Sequence, residues 1–287
     1  MEMHQQSITD QQGTMTIMRW EALTGDQFPK AIEQSQGVCL IALSVLERHG
    51  HHLPLGTDMF VGHALLDRVA QMEPVLLFPD YFLTQIPEAR HCAGTISIDP
   101  ALMVRLLDNV CREIARNGVK KIVLVNCHGG NSSFLPLFTE WQLATPHDYA
   151  VYLVQPHAVI YGATGLPWAA ESDGHAGPSE TSMMLQARPD LVDLSQVPTF
   201  DEGQALHRLR ALEEAGVRTG MWWYAQYPTH YAGDARLASA EAGEDLLERM
   251  AQHVVRAVRA IKADTETLRL QNEFYAASQV PAPPRLP

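Results

Sequence analysis

The chain has 287 residues, 46% of them hydrophobic and 19% charged. That is enough apolar material for one large folded domain, and it excludes global disorder. Its 21 Lys and Arg against 33 Asp and Glu give a net charge of -12, which argues against wrapping nucleic acid or adhering to anionic lipid.

Residues 1–18 are polar, without period, and read as a flexible N-terminal arm. They show no basic segment followed by an apolar one, so no secretory signal is expected and the chain is read as cytoplasmic. The longest apolar run, around 38–46, is too short to span a bilayer. VCLIALS (38–44) predicts a buried strand, 59–72 a helix, and PVLLFP (74–79) a second strand. The pattern over 101–118 predicts a strong helix, with Asp99 as its cap, Pro100 in its first turn and Gly118 at its stop. KIVLVN (121–126) predicts a third strand buried on both faces, 132–144 a helix, and YAVYLVQ (149–155) a fourth strand. A helix is expected from about Pro178 and another over 238–270. Residues 19–270 are thus read as one domain and 271–287 as an extended Pro-rich tail. Strands alternating with helices predict an α/β fold: a mainly parallel sheet layered between helices, α/β/α.

In open α/β sheets, ligands bind beyond the carboxyl ends of the strands. The loops there carry the polar clusters SVLERHGHHLPLGTD (44–58), NCHGGNSS (126–133) and SDGHAGPSETS (172–182). Five of the thirteen histidines fall in them, beside Glu47, Asp58, Asp173 and Glu180. Mixed imidazole and carboxylate donors suit Zn, Mn or Fe(II). Each segment alone also fits a tight turn or a solvated cluster; three at one sheet edge favour a metal site. The four cysteines form no CxxC pair and read as reduced. Cys127 beside His128 is not expected to be a nucleophile, because such pairs meet through the fold rather than in sequence. The aromatic run MWWYAQY (221–227) reads as a subunit contact or core patch. Ser132 and Ser133 read as helix-starting residues.

ExHGxHLPLGTD at 47–58, NCHGGN at 126–131 and HAGxxETS at 175–182 resemble the creatininase family of amidohydrolases, in its NCHGGN form. GTIS at 94–97 and GDARLASAEAGEDLL at 233–247 add lesser echoes, and the resemblance spans about 20–262. It implies a layered α/β domain, one or two divalent ions (Zn, Mn or Fe) at the strand ends, and homo-oligomers, hexamers among them. It also implies hydrolysis of C–N bonds in small cyclic or formylated amides, with some relatives acting on peptides or cyclic ketones. By the same resemblance Glu47, His49, Asp58 and His128 are metal ligands, Asp58 bridging, and His175 is the catalytic histidine. The family's Glu ligand two residues after the His matching His128 is Gly130 here, and Glu180 is the expected replacement. The family's Trp before HAG is also missing, the nearest being Trp168, which disfavours creatinine itself.

The expected reaction is attack of metal-bound hydroxide on a small-molecule C–N amide other than a peptide, with His175 and Glu180 as catalytic groups. The backbone of Gly129 and Gly130, together with Asn131, is expected to contact the substrate or its oxyanion. The alternatives are C–C ring opening of a cyclic ketone in the same site and a non-catalytic metal-binding module.

Overall fold

The structure is a computed structural model that describes residues 17–161 and 164–279. Five strands, β1 (Met18–Arg19), β2 (Val38–Leu43), β3 (Leu76–Leu77), β4 (Lys121–Asn126) and β5 (Ala150–Val154), form one sheet in the order β1-β3-β2-β4-β5. Every pairing in it is parallel. The chain leaves β2 toward β3 on one side and returns to β4 on the other. The crevice between the carboxyl ends of β2 and β4 is therefore the switch point where such sheets bind ligands.

All six residues of β2 are buried, and the pleat divides them. Val38, Leu40 and Ala42 face a core shared with α2 (Thr57–Met72), α6 (Pro178–Ala187) and α9 (Ala240–Ala263). Cys39, Ile41 and Leu43 face a second core that includes Leu107, Cys111 and Ile114 of α3 (Pro100–Arg116) and Phe138 of α4 (Phe134–Trp141). Helices thus cover both faces, as the continuous apolar strands require. Asp99 caps α3, accepting from the Leu102 N–H at 3.0 Å, and Gly118 follows the helix at φ +100°. The remaining helices are α1 (Phe28–Gln34), α5 (Ala158–Tyr161), α7 (Arg210–Glu214), α8 (Trp222–Gln226) and α10 (Glu266–Gln279).

Four expectations need correction. The strand predicted over 74–79 pairs only at Leu76–Leu77, because Pro74 and Pro79 bracket it and have no N–H for a ladder. The helix predicted over 132–144 is α4 proper, flanked by 3-10 turns at Gly129–Ser132 and Gln142–Ala144. The helix predicted over 238–270 breaks at Asp264, whose carboxylate accepts from the N–H groups of Glu266 and Thr267 and so starts α10. The tail expected to be extended from 271 is helical through Gln279. There Tyr275 is buried and donates to the Gln142 carbonyl at 2.8 Å. Residues 1–16 and 280–287, where the rest of the two tail expectations falls, lie outside the described residues. Among the described residues, no helix is long and apolar enough to cross a membrane.

The tightest helix contact sets the position of α6. A Cβ at Gly243 of α9 would stand 1.9 Å from the Ser182 carbonyl oxygen. Gly243→Ala is expected to push the helices apart and cost about 3 kcal/mol, the upper range for overpacking. Urea unfolding reads this as a lower midpoint with an unchanged slope; an unchanged midpoint would contradict it.

Candidate metal centre

The loop after β2 carries Glu47 and His49. Gly50, at φ +64°, turns the chain there, and the path then leads to Asp58 in the first turn of α2. His128 follows β4 directly. His175 and Glu180 come from the segment that enters α6. All six meet beyond the strand ends, with Glu47, His49, Asp58 and His128 buried.

His128 Nδ1 lies 3.0 Å from Glu47 Oε1 and 3.0 Å from Asp58 Oδ2. His49 Nε2 lies 3.2 Å from Asp58 Oδ1 and 3.6 Å from Glu180 Oε2. Asp58 therefore turns one oxygen to each histidine. The ligand atoms of Glu47, Asp58 and His128 all fall within 4.8 Å of one another, and so do those of His49, His175 and Glu180. His49 Nδ1 donates to the Glu47 carbonyl at 3.2 Å, which leaves Nε2 as the donor atom toward the carboxylates.

The electrostatics are those of a site built for positive charge. Burial would raise Glu47, but His175, His128 and His230 outweigh it and hold the carboxyl well below its ordinary range. Asp58 is likewise held low against burial, by hydrogen bonds from His128 and His49. Burial opposes charge on His49 and His128, yet the facing carboxylates raise both, His49 to about 9. Burial raises Glu180 to about 7. His175 goes the other way: burial lowers it to about 3 and keeps it neutral.

Gly130 does more than lack a carboxylate. A Cβ there would stand 2.5 Å from His128 Nε2, so the ring orientation that presents Nδ1 to Glu47 and Asp58 needs glycine at 130. Asn131 does not fit the substrate role expected of it. It is fully buried in the 3-10 turn and does not line the cavity, whereas Gly129 and Gly130 do. Asn126 serves local backbone, accepting from the His128 N–H at 3.2 Å. Cys127 is buried, and desolvation pushes its thiol far above the usual range, which removes it as a nucleophile. His51 is exposed and meets Arg48 rather than the centre.

Above these groups opens a cavity of about 330 Å³, a size suited to a small ligand. Trp222 and Trp223 of α8 form part of its wall, beside His157 and Arg218. Within the run 221–227, expected to be a subunit contact or core patch, Trp222 and Trp223 border the cavity, while Met221, Trp222 and Tyr224 keep exposed surface. Trp168 is buried in the core and does not line the cavity. The missing Trp before HAG is therefore no lack of indole in the site. His230 escaped the sequence reading. Its Nε2 is 2.6 Å from Glu47 Oε2, and its Nδ1 is 2.8 Å from Trp223 Nε1. PTHYAGD at 228–234 offered only a lone histidine in a loop, no stronger than several others.

Comparison with known proteins shows the family. The family described as Creatininase, creatinine amidohydrolase, matches residues 21–258. The chain belongs to the creatininase family. Creatinine amidohydrolase of Pseudomonas putida is 31% identical over 194 residues, 61% of this chain and 74% of that one. The mycofactocin precursor peptide peptidase of Mycobacterium ulcerans (strain Agy99) is 31% identical over 226 residues, 75% of this chain and 82% of its own. A crystal structure of creatininase aligns with a TM-score of 0.68 at 27% identity, covering 87% of this chain and 100% of that chain. A manganese creatininase and a mutant creatininase of Zn-Zn type each align at a TM-score of 0.65, with 27% and 26% identity. Each covers 85% of this chain and 98% of its own. The α/β fold and its all-parallel sheet are those of creatininase, and the family is hydrolytic.

Proposed function

We propose that the chain is a metal-dependent amidohydrolase that cleaves a C–N bond in a small cyclic amide or formamide-type substrate. The observation that carries this reading is the pairing of two carboxylate–imidazole sets through Asp58, beside a small cavity lined by Glu47, His128, His175 and Glu180. The residues fit divalent cations. His128 Nε2 is buried without a hydrogen-bond partner, and the nitrogen–oxygen donor set suits Zn, Mn or Fe(II). Glu47, Asp58 and His128 would hold one ion; His49 and Glu180, with Asp58 between, would hold a second. The manganese and zinc forms of creatininase support either of those metals. Such ions, when bound, act as Lewis acids on the scissile carbonyl and supply a nucleophile at neutral pH.

The protein's own groups do the rest. His175 Nε2–H donates to the Arg48 carbonyl at 2.7 Å, which leaves Nδ1 unprotonated in a neutral ring 4.0 Å from Glu180 Oε2. Nδ1 takes the proton of the attacking water and returns it to the leaving nitrogen. Gly129 and Gly130 open a 3-10 turn whose first N–H groups have no acceptor within the turn, so they are available to a developing oxyanion. A peptide substrate is the second reading, favoured by the likeness to the mycofactocin precursor peptide peptidase.

Arg218, stacked 5.3 Å over Trp222, is the only Lys or Arg among the described residues lining the cavity. Arg218→Ala is expected to raise KM roughly tenfold with kcat little changed, because it removes binding common to ground and transition states. An unchanged KM would remove Arg218 from the substrate site. The reading as a whole is tested by a hydrolysis screen of lactams, cyclic imides, formamides, cyclic ketones and short peptides on the metal-loaded protein. Turnover of an amide supports it. Turnover of cyclic ketones alone would mean C–C opening, and no turnover of any class would favour a metal-binding module.

A further inference from the structure

The direction of one hydrogen bond assigns a role to the aromatic segment. An indole N–H can only donate. Trp223 Nε1 therefore donates to His230 Nδ1, 2.8 Å away, and that nitrogen carries no proton. In a neutral imidazole the proton then sits on Nε2, which lies 2.6 Å from Glu47 Oε2. The same ring cannot offer Nε2 to a cation without losing that proton. His230 stands close enough to Glu47 and His175 to complete a ligand triad, yet the indole makes it a donor to Glu47 instead. The arrangement is built rather than incidental. His230 and Glu47 are each about 1% exposed, and His230 is held at φ +58°, a backbone region that non-glycine residues seldom occupy.

We propose that Trp223 and His230 form a positioning relay that fixes Glu47 as a one-oxygen metal ligand. His230 Nε2–H engages Oε2. That leaves Oε1, 3.0 Å from His128 Nδ1, for the ion shared with Asp58 and His128. Ligating carboxylates commonly depend on such outer partners for their orientation. The relay also ties the cavity wall to the metal site, because Trp223 and Trp222 are neighbours on α8 and both line the cavity. This inference rests on Glu47 being a ligand, as proposed above.

The test is the Zn²⁺ affinity of the protein, read by competition with a chromophoric chelator, for the wild type, Trp223→Phe, His230→Leu and His230→Gln. Trp223→Phe and His230→Leu are expected to weaken one Zn²⁺ by about 10–100-fold. His230→Gln restores an N–H donor at similar reach and is expected to recover most of the loss. Histidine ¹⁵N spectra of the wild type need no variant to fold, and they are expected to show His230 protonated at Nε2 and bare at Nδ1. Wild-type affinity in both Trp223→Phe and His230→Leu, or a proton on Nδ1, would overturn the relay. A wild type that binds no Zn²⁺ or Mn²⁺ at all would overturn the metal reading beneath it, and that outcome is distinct from the other two.

Discussion

Asp58→Ala is expected to remove both metal ions and all measurable turnover together. Asp58 turns its two oxygens to histidines of the two proposed ligand sets, Oδ1 at 3.2 Å from His49 and Oδ2 at 3.0 Å from His128. Its loss takes a ligand from each ion, so the cost exceeds the roughly 10–100-fold typical of disturbing an outer partner alone. His128→Ala touches only the set containing Glu47, so it is expected to lose one ion and keep the other. Metal analysis of the two purified variants beside activity checks the pair. An Asp58→Ala protein that keeps its metal and turns over substrate would show that Asp58 does not bridge.

His175→Ala is expected to separate chemistry from metal binding. The His175 ring is neutral, fixed by its bond to the Arg48 carbonyl, and set with Nδ1 toward Glu180. It contributes a proton path rather than one of the five proposed ligands. The variant should keep the metal content of the wild type while kcat falls by about 10²–10⁴-fold, the usual range for a general acid–base group. Steady-state kinetics on the metal-loaded variant, with metal content measured on the same sample, checks this. Wild-type kcat would remove His175 from the proton path, and loss of metal would make it a ligand.

The layered fold was legible because β2 and β4 are continuous apolar strands and α3 carries its own cap and stop signals. Glu47, His49, Asp58, His128, His175 and Glu180 were legible because three compact motifs hold all six, each after a point where the chain reaches the carboxyl edge of the sheet. What escaped the sequence depends on contacts distant along the chain. His230 lies 183 residues from Glu47, and nothing local to it signals the meeting. Trp222 and Trp223 sit on a five-residue helix whose direction is set by packing rather than by period. The break at Asp264 had a local signal, an aspartate followed by two N–H groups to cap. It was masked by the strong apolar period that runs up to Ile261. Asn131 carried the right chemistry for a substrate contact, but burial places it away from the cavity.

The most direct test of the account is metal content per chain, measured by plasma mass spectrometry on protein purified without a histidine tag or added metal. The account predicts close to two equivalents of Zn, Mn or Fe, held by Glu47, Asp58 and His128 on one side and by His49 and Glu180 on the other. No bound metal, even after reconstitution with these ions, would contradict it.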